Sequence, residues 1–292
     1  MPSTRDIRRR IKSVKNTAQI TKAMQMVAAS KMRKAQLAAL AGKPYAELTN
    51  SIISALKGRV DEEAHPLLRV RPVHKRIALV VSTDKGLCGA LNGNLMREAF
   101  TLDAASTSYV TIGRKAVQYV TRAKRQLLAD FPMKDAPSFA EVKTVSRFLI
   151  EKFLSGECDE VSLVYTDFIN TLNQKPTVRH LLPIVRFEEL EAGVEDQKVS
   201  REITGGATEF LFKPDRGEVL DFVLPSYVHF MVYQILLDAR ASEHSARMVA
   251  MKNATDNAKQ LVKDLTLDYN KIRQASITTE ILEIATAQAA MS

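Results

Sequence analysis

The chain has 292 residues, of which 46% are hydrophobic and 26% charged, with 11 Gly, 10 Pro and 2 Cys. That is a globular composition with enough apolar content for a core, at a length that suits two domains or one domain with an extension. It excludes a disulfide framework, since Cys88 and Cys158 lie far apart and form no C-x-x-C, and a reducing cytoplasm is expected. The formal charge of +9 sits entirely in the first 40 residues, where ten Arg and Lys stand against Asp6 alone. Whatever acidic surface the protein meets, it meets with that segment.

Pro2 and Ser3 mark a helix start, and the polar, basic residues that follow contain no apolar run of the secretory kind. A heptad-like stripe then runs through Ile7, Ile11, Val14, Ala18, Thr21, Ala28, Met32 and Ala35. Ile20, Met24 and Val27 form a second stripe, expected roughly 140 to 160° round the helix from the first. A helix apolar on two faces is packed on two sides. Either the protein's own helices cover both stripes or a partner covers one, and no third long helix of matching period is evident. Gly42, Lys43 and Pro44 are expected to interrupt the helix, which resumes over 45–56 before Gly58.

From Arg71 and Pro72 the texture changes to alternating strand and helix. Ile77–Val81 is a β-branched run of the buried parallel-strand kind. Ser82 to Asn94, STDKGLCGALNGN, reads as a Gly-rich loop leading to a helix over 95–102. Strands are expected at 109–112, 160–165 and 177–185, and helices at 114–124 and 139–154. The acidic stretch 187–206 reads as a surface loop, with one more strand at 209–212. This order means an open α/β sheet.

The last stretch, Ser226 to Ser292, contains no Gly or Pro. As one helix it would be a rod of roughly 100 Å. One heptad frame places Ala241, Met248, Thr255, Val262, Tyr269 and Ser276 at a, and His244, Met251, Ala258, Leu265, Ile272 and Thr279 at d. After Ser276 the frame breaks, because Ile277, Ile281 and Ile284 follow on a different face that needs something else to pack against. The apolar neighbourhood 222–237 is broken by Pro225 and His229, so no direct membrane span is expected. The fold class is therefore α/β, with a long antiparallel two-helix coiled coil formed by both termini and an inserted open, Rossmann-like α/β domain. Residues 1–57 and 214–292 form the coiled coil and 73–213 the domain.

Little here advertises catalysis. Gly86, Gly89 and Gly93 give G-x-x-G-x-x-x-G, which is neither the dinucleotide fingerprint nor a P-loop, and Gly113, Arg114 and Lys115 stand where a ribose-binding acid would. A tight structural turn is the expectation, with a nucleotide-dependent enzyme as a lesser alternative. Cys88 has Lys85 nearby but no convincing His partner. His65, His74, His180, His229 and His244 are scattered singly, so neither metal nor cofactor is expected. The basic N-terminal helix suits nucleic acid by charge, yet it has no aromatic residue to stack on bases. Its charge and apolar stripe together favour a helix seated among acidic protein loops, with a basic coiled-coil nucleic-acid-binding protein as the alternative.

Four blocks then point to a family: ITKAMQMVAASKMRKAQ at 20–36, STDKGLCGALNGN at 82–94, SEHSARMVAMKNATDNA at 242–258 and YNKIRQASITTEILEI at 269–284. In this order they closely resemble the gamma subunits of bacterial F-type ATP synthases. The resemblance implies a central rotor shaft, non-catalytic on its own, that couples proton flow through the membrane sector to ATP synthesis on the beta subunits by rotation inside the alpha/beta ring. It implies as partners the alpha and beta subunits, the epsilon subunit and the c-subunit ring, with no nucleic acid, and a peripheral place at the cytoplasmic face of the bacterial inner membrane. By the same resemblance Met24 and Arg247 meet the acidic lever loop of beta, and Gln274, Thr278, Glu280 and Glu283 match shaft positions higher in the sleeve. Ala287 and Gln288 replace the Gly-Ala usual at the end of the last motif. The paired-cysteine insert of the chloroplast form is absent.

Overall fold

The computed structural model describes residues 4–57, 65–184 and 216–291. The expected loop at 187–206 and strand at 209–212 fall outside them, as do Pro2, Ser3 and Gly58. The chain divides into two compact units, one of Met1–Ser30 with Arg247–Ser292 and one of Lys31–Ala246. Two long helices, α1 (Thr4–Lys57) and α5 (Arg216–Met291), run through both.

In the larger unit lie β1 (Arg76–Val81), α2 (Leu91–Ala99), β2 (Thr107–Ile112), α3 (Arg114–Arg122), β3 (Leu127–Phe131), α4 (Phe139–Leu154), β4 (Glu160–Phe168) and β5 (Gln174–Leu182). They form one mixed sheet of order β3-β2-β1-β4-β5, parallel except for the antiparallel pair β4 and β5. Successive side chains of a strand point to opposite faces, and β1 shows it. Ile77, Leu79 and Val81 join Val142, Leu149 and Phe153 of α4 and Leu224, Val228 and Leu236 of α5 in one core. Ala78 and Val80 join Leu95 and Met96 of α2 and Ala116 and Val120 of α3 in the other. A sheet covered on both faces explains why β1 reads as a continuous apolar run.

Several expectations need correction. The Gly42-Lys43-Pro44 step does not interrupt α1, which continues to Lys57 with Pro44 inside it. Packing holds the turn that the proline weakens: Gly42 abuts Phe230 and Gln234 of α5, and the Tyr45 and Phe230 rings lie 4.8 Å apart. Helix α2 begins at Leu91, within the stretch expected to be loop, and includes Gly93. Strand β3 has no counterpart among the expected elements, and β5 ends at Leu182, short of 185. Helix α5 starts at Arg216 and carries Pro225 within it. It contains a window long and apolar enough to cross a membrane, but 56% of that window is buried inside the protein, as in a core helix.

In the smaller unit the seam is visible as burial. Ile7 and Ala28 of α1 are buried, as are Met251, Thr255 and Ala258 of α5, with Val262, Leu265, Tyr269 and Ile272 half-buried. Thr21 and Thr255 meet through their hydroxyls at 2.7 Å. For helices running in opposite directions, the step from Thr21 back to Thr4 corresponds to the step from Thr255 forward to Ile272. Burial stops there: every residue over 273–288 is exposed.

The second stripe is less uniform than its spacing suggests. Ile20 and Val27 are 60% and 56% exposed, whereas Met24 is half-buried. A strict seven-residue seam drifts about 20° per heptad on a helix of 3.6 residues per turn. Near Thr21 and Ala28 the seam therefore lies only about 60° from Met24, though about 100° or more from Ile20 and Val27. The expected 140 to 160° is too large, most of all for Met24.

Candidate functional site

The glycine loop occupies the place where an α/β sheet would hold a phosphate. Leu87 and Gly89 both take left-handed backbone angles, φ 63° and 61°. Asn92 of α2 ties the loop down: its Nδ2 donates to Thr83 Oγ1 at 2.8 Å and to Cys88 Sγ at 3.3 Å. Ser82 Oγ accepts from the Ala116 amide at 2.8 Å and donates to the Gly113 carbonyl at 3.1 Å. Gly113 is required there, because a Cβ would stand 2.4 Å from the Ser82 carbonyl oxygen. The loop's polar groups serve its own turn. The adjoining cavity, which Ser82 and Thr83 line, has room for about one water molecule, far less than a nucleotide needs.

The nucleophile candidates are equally enclosed. Cys88 is buried, and burial pushes the Cys158 thiol up to about 12, which leaves it protonated at neutral pH. Ser146 and His229 do meet, with Oγ 2.7 Å from Nδ1, but both are buried and Ser146 also donates to the Val142 carbonyl at 3.1 Å. Burial holds His229 below its usual pKa, with Lys143 and Arg147 adding to the effect. The pair bridges α4 and α5 within the core. Among the described residues no group of three His, Cys, Asp or Glu could hold a metal.

What the structure presents outward is a helix surface. Arg5, Arg8, Arg9, Arg10, Lys12, Lys15 and Lys22 are all exposed along α1. On α5, beyond the reach of α1, Ile277, Ile281, Leu282 and Ile284 are 47%, 60%, 59% and 67% exposed. Four large apolar side chains on two turns exceed the scatter of single exposed leucines normal on a surface.

The six residues singled out by resemblance do not gather into one site. Met24 and Arg247 are half-buried, and Gln274, Thr278, Glu280 and Glu283 are exposed. Thr278 Oγ1 donates to the Gln274 carbonyl at 2.9 Å, so these two share a turn. At about 100° per residue they flank the isoleucine stripe on one side, Glu280 flanks it on the other, and Glu283 lies further round. Such an arrangement cannot converge on a small molecule, but it can be read by a sleeve. Sequence reasoning missed Arg240, a cation buried in α5. Its signal was present as one of two charges, with Asp238, inside the otherwise apolar run Ile235 to Ala241.

A model of the family described as ATP synthase matches residues 3–291. The ATP synthase gamma chain of Methylacidiphilum infernorum is 50% identical over 296 residues, covering 100% of both chains. That of Opitutus terrae is 50% identical over 290 residues, covering 99% of this chain and 98% of the relative. Among solved structures, a chain from the rotor of the Euglena gracilis mitochondrial ATP synthase aligns with a TM-score of 0.66 at 21% identity, covering 94% of this chain and 98% of that one. A chain from the OSCP/F1/c-ring assembly of the same organism gives 0.68 at 21% identity, covering 99% and 94%. At that identity the structural likeness speaks for the fold alone. With a family model spanning nearly its whole length and relatives half identical from end to end, the chain belongs to the ATP synthase gamma chain family.

Proposed function

We propose that this chain is the central rotor shaft of the F1 sector, coupling proton flow through the membrane sector to ATP synthesis on the beta subunits as it turns inside the alpha/beta ring. The observation that carries the reading is the stretch 273–288, a helix that outruns its partner and leaves an apolar stripe exposed. Chemistry stays on beta. An asymmetric shaft stabilises a different conformation in each beta subunit according to the face it presents, so rotation changes their nucleotide affinities in sequence. A pair of packed helices resists twisting, as a loop could not. Family membership and the absence of aromatic residues in the basic segment both weigh against nucleic acid as the partner.

In this reading 1–57 and 214–292 form an antiparallel coiled-coil shaft, and 73–213 is a Rossmann-like foot that meets the epsilon subunit and the c-subunit ring. Met24 and Arg247 meet the acidic lever loop of beta, and Gln274, Thr278, Glu280 and Glu283 line the upper sleeve. The complex sits peripherally at the cytoplasmic face of the bacterial inner membrane. Reconstitution with cognate alpha and beta subunits, with a bead on the foot, tests the proposal. Stepwise turning that stops when ATP is withdrawn supports it. Robust ATP turnover by the isolated chain, or no association with the ring, would sink it.

A further inference from the structure

A doubly wound sheet binds its ligands beyond the carboxyl ends of its strands, at the point where the strand order reverses. In the order β3-β2-β1-β4-β5 that point lies between β1 and β4. Here the chain fills it. Ser82 and Thr83 after β1 and Thr166 of β4 lie with Arg240 and Glu243 of α5 around the one-water cavity. Arg240, 2% exposed, donates from Nη1 to Glu243 Oε2 at 2.8 Å, and its Nη2 lies 3.9 Å from Asp84 Oδ2. The same Nη2 stands 3.5 Å from the carbonyl oxygens of Met133 and Lys134. Two carboxylates answer one guanidinium, so the crevice has no charge left over for an anion.

The same edge of the sheet holds both terminal helices at two further points. Lys31 of α1 forms an ion pair with Asp135, in the loop after β3. Ser245 of α5 donates to the Thr171 carbonyl at 2.8 Å and accepts from Gln174 Nε2 at 3.4 Å, at the turn between β4 and β5. Asp84, Met133 to Asp135 and Thr171 all follow the carboxyl ends of strands. Lys31, Arg240 and Ser245 all belong to the last turns of α1 and α5 inside this unit, which spans Lys31–Ala246.

Stability alone does not account for such a group. A well-packed apolar side chain generally serves as well as a buried ion pair or better. What a guanidinium adds is direction, because its donors form a rigid planar fork that fixes an angle as well as a distance. Apolar packing on a helix resists separation strongly and rotation about the helix axis less. We infer that this edge is a torque joint, in which Arg240, seated where such a sheet ordinarily holds a ligand, is the positioning residue that locks α5 to the α/β unit, while Lys31 locks α1. The inference rests on the rotor reading above and adds the place where twist passes between helices and sheet.

The test uses the full chain in its alpha/beta assembly, with the ring immobilised, a bead on the α/β unit and ATP withdrawn, so that the angular spread of the stalled bead reports torsional stiffness. Arg240→Leu combined with Lys31→Ala should widen the angular variance roughly twofold, since two directional restraints acting in parallel are lost. Thermal unfolding of the same variant shows that the unit is folded, which a merely structural loss would not leave intact. An unchanged variance in a folded double variant overturns the inference. If that variant fails to assemble, Lys31→Ala with Ser245→Ala, which leaves the buried guanidinium in place, carries the same test with the same overturning result. A wild-type complex that never turns would instead count against the rotor reading itself.

Discussion

Glu160 shows how single residues set the sheet in register. Arg76 on the neighbouring β1 donates from Nε and Nη2 to its two oxygens at 2.8 and 2.9 Å, Ser162 Oγ donates at 2.8 Å, and His180 Nδ1 lies 3.5 Å away. Burial alone would push this carboxyl up, but the hydrogen bonds from Arg76 and Ser162 and the charges of Arg76 and His180 outweigh it, and its pKa lies below the ordinary value. The stability it contributes is therefore fully present above the unfolded value of about 4.3 and is lost as pH falls through the lower folded value. Glu160→Gln should cost about 2–3 kcal/mol at pH 7 by urea unfolding, with the gap to wild type closing below about pH 4. Glycines divide in the same residue-by-residue way. Gly113→Ala meets the Ser82 carbonyl from a backbone at φ 97° and should cost at least about 2–3 kcal/mol. Gly93→Ala, in open space on α2, should instead stabilise by about 0.5–1 kcal/mol in the same assay.

Among the elements, those that bury one full face were legible and those that depend on neighbours were not. Every a and d position from Met248 to Ile272 is buried or half-buried in α5, and the frame ends where burial ends. Strand β1 is apolar throughout because both its faces are covered. Strand β3, Leu-Leu-Ala-Asp-Phe, is a short edge strand, half-buried at best, and its Ala and Asp carry little strand preference. Pro44 shows propensity overridden, since a proline costs about 3 kcal/mol inside a helix and only packing seen in three dimensions offsets it. The coupling of Arg240 to two loops was hidden for the same reason, because Glu243 lies one turn on along α5 but no spacing along the chain joins Arg240 to Asp84 or Met133. The seam also carries one polar pair. One hydroxyl donates to the other across it, and the one that accepts donates in turn to a carbonyl of its own helix, Ala18 at 3.1 Å for Thr21 or Met251 at 2.8 Å for Thr255. Thr255→Val leaves the Thr21 hydroxyl without its partner and should cost about 1 kcal/mol, whereas Thr21→Val with Thr255→Val should recover most of that, as read from a double-mutant cycle on thermal unfolding. A pair that shows no coupling would mean that apolar packing alone sets the register of the two helices.

At the scale of the whole molecule, the rotor reading has folding and assembly use separate surfaces, and a truncation should separate them. A chain ending at Arg273 loses the stretch 274–288, whose side chains are all exposed. Since these bury nothing within the chain, its melting temperature should stay within about 2 °C of the full-length value. Assembly is different. Ile277, Ile281, Leu282 and Ile284 each offer about 1.5–3 kcal/mol if the sleeve buries them fully, so their loss removes the main apolar contribution at that end. What then holds the chain in the ring is weighted toward the exposed cations of α1, from Arg5 to Lys22. Interactions between exposed charges are screened over about 8 Å at physiological ionic strength and about 3 Å at 1 M salt. The truncated complex should therefore fall apart on gel filtration at high salt under conditions where the full-length complex survives. A truncated chain that melts many degrees lower would show that the tip serves folding, and one whose complex withstands salt as well as wild type would show that the sleeve takes no hold of the apolar stripe.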